Sequence, residues 1–280
     1  MSTLKVTLLQ QPLVWMDGPA NLSHFDGLLG ELTGRDLIVL PEMFTTGFAM
    51  EAAKSSLEQP VVEAWLKQWA QRNNALVGGS VAVQTGKGAV NRFLLADPQG
   101  RVYQYDKRHL FRMAGEHEYY RSGQTREIVE WRGWRILPLI CYDLRFPVWS
   151  RNRQDYDLAL YVANWPAPRA LHWKTLLAAR AIENQAYVAG CNRVGTDGNG
   201  HSYQGDSLII DAQGAILASA PSISPLVLTP NCRWKRCKAT VKPSLPGATP
   251  TGSIYRRPNL PQTQFTVMQR HHLPFREGGV

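Results

Sequence analysis

Cysteine is scarce in this chain: four thiols, Cys141, Cys191, Cys232 and Cys237, are spread over 280 residues. That excludes a scaffold built on disulfides. Long apolar runs are missing as well. None approaches the ~18 residues that a membrane-crossing helix needs, so no membrane partner is expected. The opening stretch, MSTLKVTLLQQ, lacks a basic segment followed by an apolar one. A secretory signal is therefore not expected, and the chain reads as cytoplasmic. Acidic side chains are nearly absent from one region alone. Residues 221–280 carry nine Lys and Arg against the single acid Glu277, while residues 1–220 balance 22 basic against 21 acidic side chains. The net charge of +9 belongs to that last stretch. A basic patch marks a nucleic-acid partner only on a folded surface, so none is expected here.

What is present is core material. The chain is 44% hydrophobic with nine tryptophans, which excludes disorder throughout. LKVTLL at 4–9 and DLIVL at 36–40 have the continuous apolar character of strands covered on both faces. Leu22, Phe25, Leu28, Leu29 and Leu32 form the stripe of an amphipathic helix. A second helix is expected over 61–72. Strands are expected at 75–83, 91–96, 102–106, 127–131, 134–141, 158–163, 187–192 and 207–211, and a further helix at 170–184. Strands alternating with helices and hairpins predict an α/β layered domain over 1–220, with two sheets covered by helices. Half of the 18 prolines fall after residue 220. Residues 221–280 are expected to be an irregular tail and not a second domain.

Three chemically distinct residues fall at expected strand ends. Cys141, in LPLICYDLRFP, is either a buried inert thiol or a nucleophile at a strand-to-turn elbow. Cys191 closes the strand YVAGC and reads as core. Glu42, in IVLPEMF, sits where α/β sheets place ligands; it is a surface acid or a proton acceptor. Lys107, in YQYDKRHLF, is either one charge on a solvated turn or a cation beside a reacting group. Glu116, in GEHEYYRSG, is weaker still, with Glu118 as its rival.

Taken together and in order, LPEMF, YDKRHLF and ICYDLRFP resemble the carbon–nitrogen hydrolase (nitrilase) superfamily. NWPAPR, ARAIENQAYVAGCNRVG and GDSLIIDAQG resemble its omega-amidase branch. The resemblance covers residues 3–220. It implies a single-domain, four-layer α-β-β-α sandwich that pairs as a homodimer. It also implies a catalytic set of Glu42 as proton shuttle, Lys107 as oxyanion donor and Cys141 as nucleophile, with Glu116 as a second glutamate. Beside that set it implies a small amide substrate, with no metal and no organic cofactor. Tyr142 supplies a backbone N–H near the oxyanion. Arg169 is a candidate cradle for a distal carboxylate, or a surface arginine opening the next helix. Trp165 is pocket wall or core. Arg145 and Glu183 are expected to support the site without taking part in the chemistry.

Relatives of this branch continue with a strand and an acidic helix where this chain turns basic and proline-rich, and a shifted reading frame is the simplest account. Three other readings compete. A Cys–His hydrolase would need His109 or His172 beside Cys141. A zinc module from Cys232, Cys237, His271 and His272 fails on spacing. A non-catalytic relative would have no use for the intact Glu42, Lys107 and Cys141.

Overall fold

The apolar positions of the early strands sort by parity. Val6, Leu8, Leu37, Val39 and Leu76 enter one core, while Leu9, Ile38, Leu40 and Val77 enter another. A strand that buries both faces must lie in an inner layer. The computed structural model describes residues 3–228, all within one compact unit, Met1–Lys238.

The chain opens with β1 (Val6–Gln10), α1 (Gly18–Glu31) and β2 (Leu37–Val39). After them come α2 (Ala52–Ser55), α3 (Gln59–Asn73), β3 (Leu76–Thr85), β4 (Gly88–Ala96) and β5 (Val102–Asp106). A short α4 (Glu116–Tyr119) precedes β6 (Val129–Trp131), β7 (Trp134–Ile140), α5 (Pro147–Ser150) and β8 (Leu158–Ala163). Then follow α6 (Ala170–Asn184), β9 (Tyr187–Asn192), β10 (Val194–Thr196), β11 (Ser202–Gln204), β12 (Leu208–Ile210), β13 (Ile216–Ser219) and β14 (Leu226–Leu228).

Local chemistry explains the boundaries. The Asp17 side chain accepts a hydrogen bond from the Ala20 N–H at 3.0 Å and caps α1. Asn74 and Gln185, both at φ +48°, end α3 and α6 in the left-handed conformation. Arg132 and Gly133 take φ +48° and +77°, the paired positive angles of a tight hairpin between β6 and β7.

Two six-stranded sheets result, ordered β14-β1-β2-β3-β4-β5 and β13-β12-β9-β8-β7-β6. The core between them contains Leu8, Val39, Phe93 and Tyr105 from the first sheet and Ile136, Leu160 and Val162 from the second. On the outer face of the first sheet, Phe25 and Leu29 of α1 and Leu66 and Trp69 of α3 share a core with Ile38 and Val77. On the second sheet, Trp173, Leu177 and Ala181 of α6 are buried. The expected α-β-β-α sandwich is present.

Strands β1, β2 and β3 run parallel, as do β7, β8 and β9. Strand β5 regains the direction of β3 after two antiparallel steps. Residues that follow β2 and β5 therefore leave the first sheet at the same edge, and those that follow β7 and β8 share an edge of the second.

The expected domain boundary at residue 220 falls too early. Leu226–Leu228 pairs antiparallel with β1, Leu228 opposite Leu8. The Gln10 amide donates to the carbonyls of Pro221 and Ser224, at 2.9 Å each. A three-residue strand has too little periodicity to stand out among breakers, and the β10–β11 hairpin escaped sequence reading for the same reason. The rest of the expected basic tail, with Cys232, Cys237, His271 and His272, lies outside the described residues. No helix among the described residues is long and apolar enough to cross a membrane.

Candidate active site

Glu42 follows β2, Lys107 follows β5, and Cys141 follows β7. All three side chains converge. The Lys107 ammonium donates to Glu42 Oε1 at 2.9 Å and to both oxygens of Glu116 at 2.9 Å. Cys141 lies close enough to Glu42 and Lys107 for both charges to act on its thiol. Glu42, Lys107 and Glu116 are all fully buried. Glu118 is exposed, whereas Glu116 is part of the buried cluster.

Each charge is secured by its neighbours. Glu42 also accepts from Asn91 Nδ2 at 2.8 Å and from the backbone N–H of Asn164, which follows β8, at 2.7 Å. Asn164 Nδ2 donates to the Glu42 carbonyl at 2.7 Å, so this one residue ties the acid to the opposite sheet twice. Glu116 accepts from the Phe111 N–H at 2.5 Å. The Gly123 N–H donates to the Lys107 carbonyl at 2.8 Å. A Cβ at Gly123 would lie 2.1 Å from the Asp106 carbonyl oxygen, so only glycine lets the chain pass this close.

One ammonium cannot neutralise two buried carboxylates, and the cluster therefore holds its protons tightly. Burial alone would lower the Lys107 pKa, but the charges of Glu116 and Glu42 outweigh it and hold the ammonium above the ordinary lysine value. Burial lifts Glu116 above the usual carboxylate range, with the Glu42 charge reinforcing it and Lys107 opposing. Burial likewise pushes the Cys141 thiol well up, and the Glu42 charge adds to that while Lys107 opposes it. At rest Cys141 is a thiol beside a proton acceptor.

Cys141 has φ +44°, in the left-handed region a side chain seldom occupies. Such strain costs on the order of 1–3 kcal/mol and persists where the surroundings dictate it. Here it turns the chain sharply from β7 into the helical turn Cys141–Arg145. The thiol reaches the wall of a cavity of about 280 Å³.

Tyr142, Arg145, Trp165 and Arg169 also line this cavity. Arg169 stacks over the Phe111 ring at 5.1 Å and opens α6. Arg145 lies over the Trp165 ring at 5.0 Å and donates to His172 Nδ1 at 2.9 Å. Trp165 is both wall and core: it is 3% exposed, and its indole N–H donates to the Arg169 carbonyl at 2.7 Å. Glu183 is exposed on α6 and holds Arg180 at 2.9 Å. It is Arg180, buried, that reaches the elbow, donating to the Leu144 carbonyl at 2.6 Å. Cys191 is core, its sulfur 3.6 Å from the carbonyls of Leu9 and Val39.

Sequence reading missed Asn91, Asn164 and Asp143. An asparagine or aspartate beside a strand end carries no pattern of its own. A faint signal lay in the flanking runs, since Asn164 directly follows β8 and Asp143 lies three residues past β7, both strands with the same buried character as β2.

A model of the family described as carbon-nitrogen hydrolase matches residues 5–241. The chain belongs to the carbon–nitrogen hydrolase family. Within that family this hydrolase is 72% identical to omega-amidase YafV of Escherichia coli K12 over 220 residues, 79% of this chain and 86% of that protein. It is 39% identical to a 2-oxoglutaramate amidase of Bacillus subtilis over 189 residues, 65% of this chain and 73% of that protein. Among solved structures, a carbon–nitrogen hydrolase superfamily protein from Xanthomonas campestris, with an arsenic adduct in its active site, superimposes with a TM-score of 0.79. It shares 46% identity over 82% of this chain and 90% of that chain.

Proposed function

We propose that the enzyme is an omega-amidase. It hydrolyses the terminal amide of short dicarboxylic or 2-oxo dicarboxylic acid monoamides, 2-oxoglutaramate among them, through a thioester on Cys141. The observation that carries this reading is one cavity that joins a buried Glu42–Lys107–Cys141 cluster to two arginines, Arg145 and Arg169. The similarity to omega-amidases supports it.

In this reading the Cys141 sulfur attacks the amide carbon as its proton passes to Glu42. The S–C bond forms while the carbonyl π electrons move onto oxygen. Lys107 and the Tyr142 backbone N–H hold that oxyanion, and losing one such donor typically costs about 3–4 kcal/mol of barrier. Collapse of the intermediate breaks the C–N bond, and Glu42 returns the proton to the leaving ammonia. Glu42 then takes a proton from water, whose oxygen attacks the thioester. The second collapse releases the acid and restores the thiol. Glu116 keeps Lys107 charged and aimed throughout. Arg145 and Arg169 receive the distal carboxylate, and the cavity size suits a chain of a few carbons.

Two further parts belong to the same reading. Val148 of α5 and Leu171 and Ile182 of α6 are 84%, 71% and 56% exposed, which supports pairing of two copies; sedimentation of the purified protein tests it. A nucleophilic thiol suits the reducing cytoplasm, which cell fractionation tests.

The deciding assay is ammonia release from 2-oxoglutaramate, succinamate, glutaramate, glutamine, a neutral aliphatic amide, an N-carbamoyl compound and a nitrile. Preference for the first three supports the proposal. Preference for one of the last three assigns another specificity within the family.

A further inference from the structure

Asp143, two residues past the thiol, is fully buried, and three residues from two segments of the chain donate to it. Its Oδ2 accepts from the Ile140 N–H at 3.0 Å and the Tyr105 hydroxyl at 2.7 Å. Its Oδ1 accepts from the His109 N–H at 2.9 Å and from His109 Nδ1 at 2.8 Å. Ile140 immediately precedes the nucleophile, and Tyr105 and His109 flank Lys107 by two residues on either side. A carboxylate taken from water is costly unless its lone pairs are filled, so these donors are strongly held. The His109 Nδ1–H is committed to Asp143, and the charges that act on the Cys141 thiol are those of Glu42, Lys107 and Glu116. The His109 ring stacks flat on Phe146, centroids 3.7 Å apart and planes 5° from parallel, and edge-on to Trp149 at 6.0 Å.

We propose that His109 and Asp143 are a positioning pair that holds the Cys141 elbow at the distance from the Lys107 segment that amide attack requires. The proposal rests on the assignment of Cys141 as nucleophile and Lys107 as oxyanion donor. The ammonium itself is clamped independently by Glu42 and Glu116. Loosening the pair therefore shifts the elbow and its Tyr142 N–H relative to a cation that stays in place. Steps that develop an oxyanion should slow. Alkylation of Cys141 by iodoacetamide should not, because there the S–C bond forms as the C–I bond breaks and iodide leaves, with no oxyanion at the site.

The test uses the full chain with 2-oxoglutaramate and, separately, iodoacetamide. His109→Phe keeps a ring to stack on Phe146 and removes the Nδ1 donor. Its kcat should fall about tenfold, the usual weight of a hydrogen bond to a charged group, with KM and the alkylation rate within about twofold. His109→Asn, which keeps a donor at the same reach, should recover most of the lost kcat. Unchanged kcat in His109→Phe overturns the proposal, and so does a loss confined to KM, a parallel fall in alkylation, failure of His109→Asn to recover, or loss of the fold in His109→Phe. Cys141→Ala is the separate control. If it retains turnover, the thioester reading itself fails, whatever the His109 variants do.

Discussion

The backbone N–H of Asn164 lies 2.7 Å from Glu42 Oε2, across the junction of the two sheets. Its side-chain amide also holds the Glu42 carbonyl at 2.7 Å. The acid is thus aimed from the sheet that carries the nucleophile. Asn164→Ala keeps the first bond and loses the second. A kcat about tenfold lower with little change in KM is expected, from one buried hydrogen bond lost at a reacting group. Steady-state kinetics checks it, and an unaltered kcat would show that the backbone bond alone suffices.

Cys141→Ala should abolish turnover and leave the fold intact. Cys191→Ala should retain most activity and lose on the order of 1 kcal/mol of stability, because it vacates a small volume in the core between the sheets. Mass spectrometry during turnover should find the acyl adduct on Cys141. An adduct on any other residue contradicts the assignment.

Glu42→Gln keeps the shape and removes the proton acceptor. Single-turnover acylation should slow by about 10²–10⁴-fold, the range of general acid–base help. Wild-type acylation rates in this variant would end the proposed role.

The raised thiol pKa carries a spectroscopic sign. Because burial and the Glu42 charge hold Cys141 protonated, its thiolate fraction at neutral pH is small and grows only as pH rises past the ordinary thiol value. The ultraviolet thiolate band, taken as the difference between wild type and Cys141→Ala, should be absent at neutral pH. A band that persists into mildly acidic solution would indicate an ion-paired thiolate of the Cys–His type instead.

Arg169→Met should raise KM for 2-oxoglutaramate about tenfold or more, the weight of a charge-assisted contact. A neutral aliphatic amide should be nearly unaffected. Equal losses on both substrates would make Arg169 a wall and not a carboxylate cradle.

Much of this site could be read in the chain itself, because rigid parallel strands present whatever follows them. Glu42, Lys107 and Cys141 each follow an expected strand, and the burial of the runs before Glu42 and Cys141 is evident from their composition. What could not be read depends on contacts between distant segments. Burial sets Glu116 apart from Glu118, and a carbonyl of the elbow recruits Arg180 while Glu183 only steadies it. Asn91 and Asn164 matter because of the carboxylate they face, 49 and 122 residues away in sequence. The three-residue strands β10, β11 and β14 lie among glycines, prolines and polar residues, with no long apolar run to mark them. The last of them closed the first sheet beyond the point where breakers suggested an end.

Cys141 rides on one sheet, while Glu42 and Lys107 ride on the other. The gap between the reacting atoms is therefore set by the thickness of the layer of side chains that separates the sheets. Leu160, Val39 and their neighbours act as spacers between the sheets. A methyl group removed deep in that layer would let the sheets settle and change the approach of sulfur to carbon without altering any residue at the cavity. In this enzyme the tolerance of the geometry among Cys141, Glu42 and Lys107 is the compressibility of its central filling.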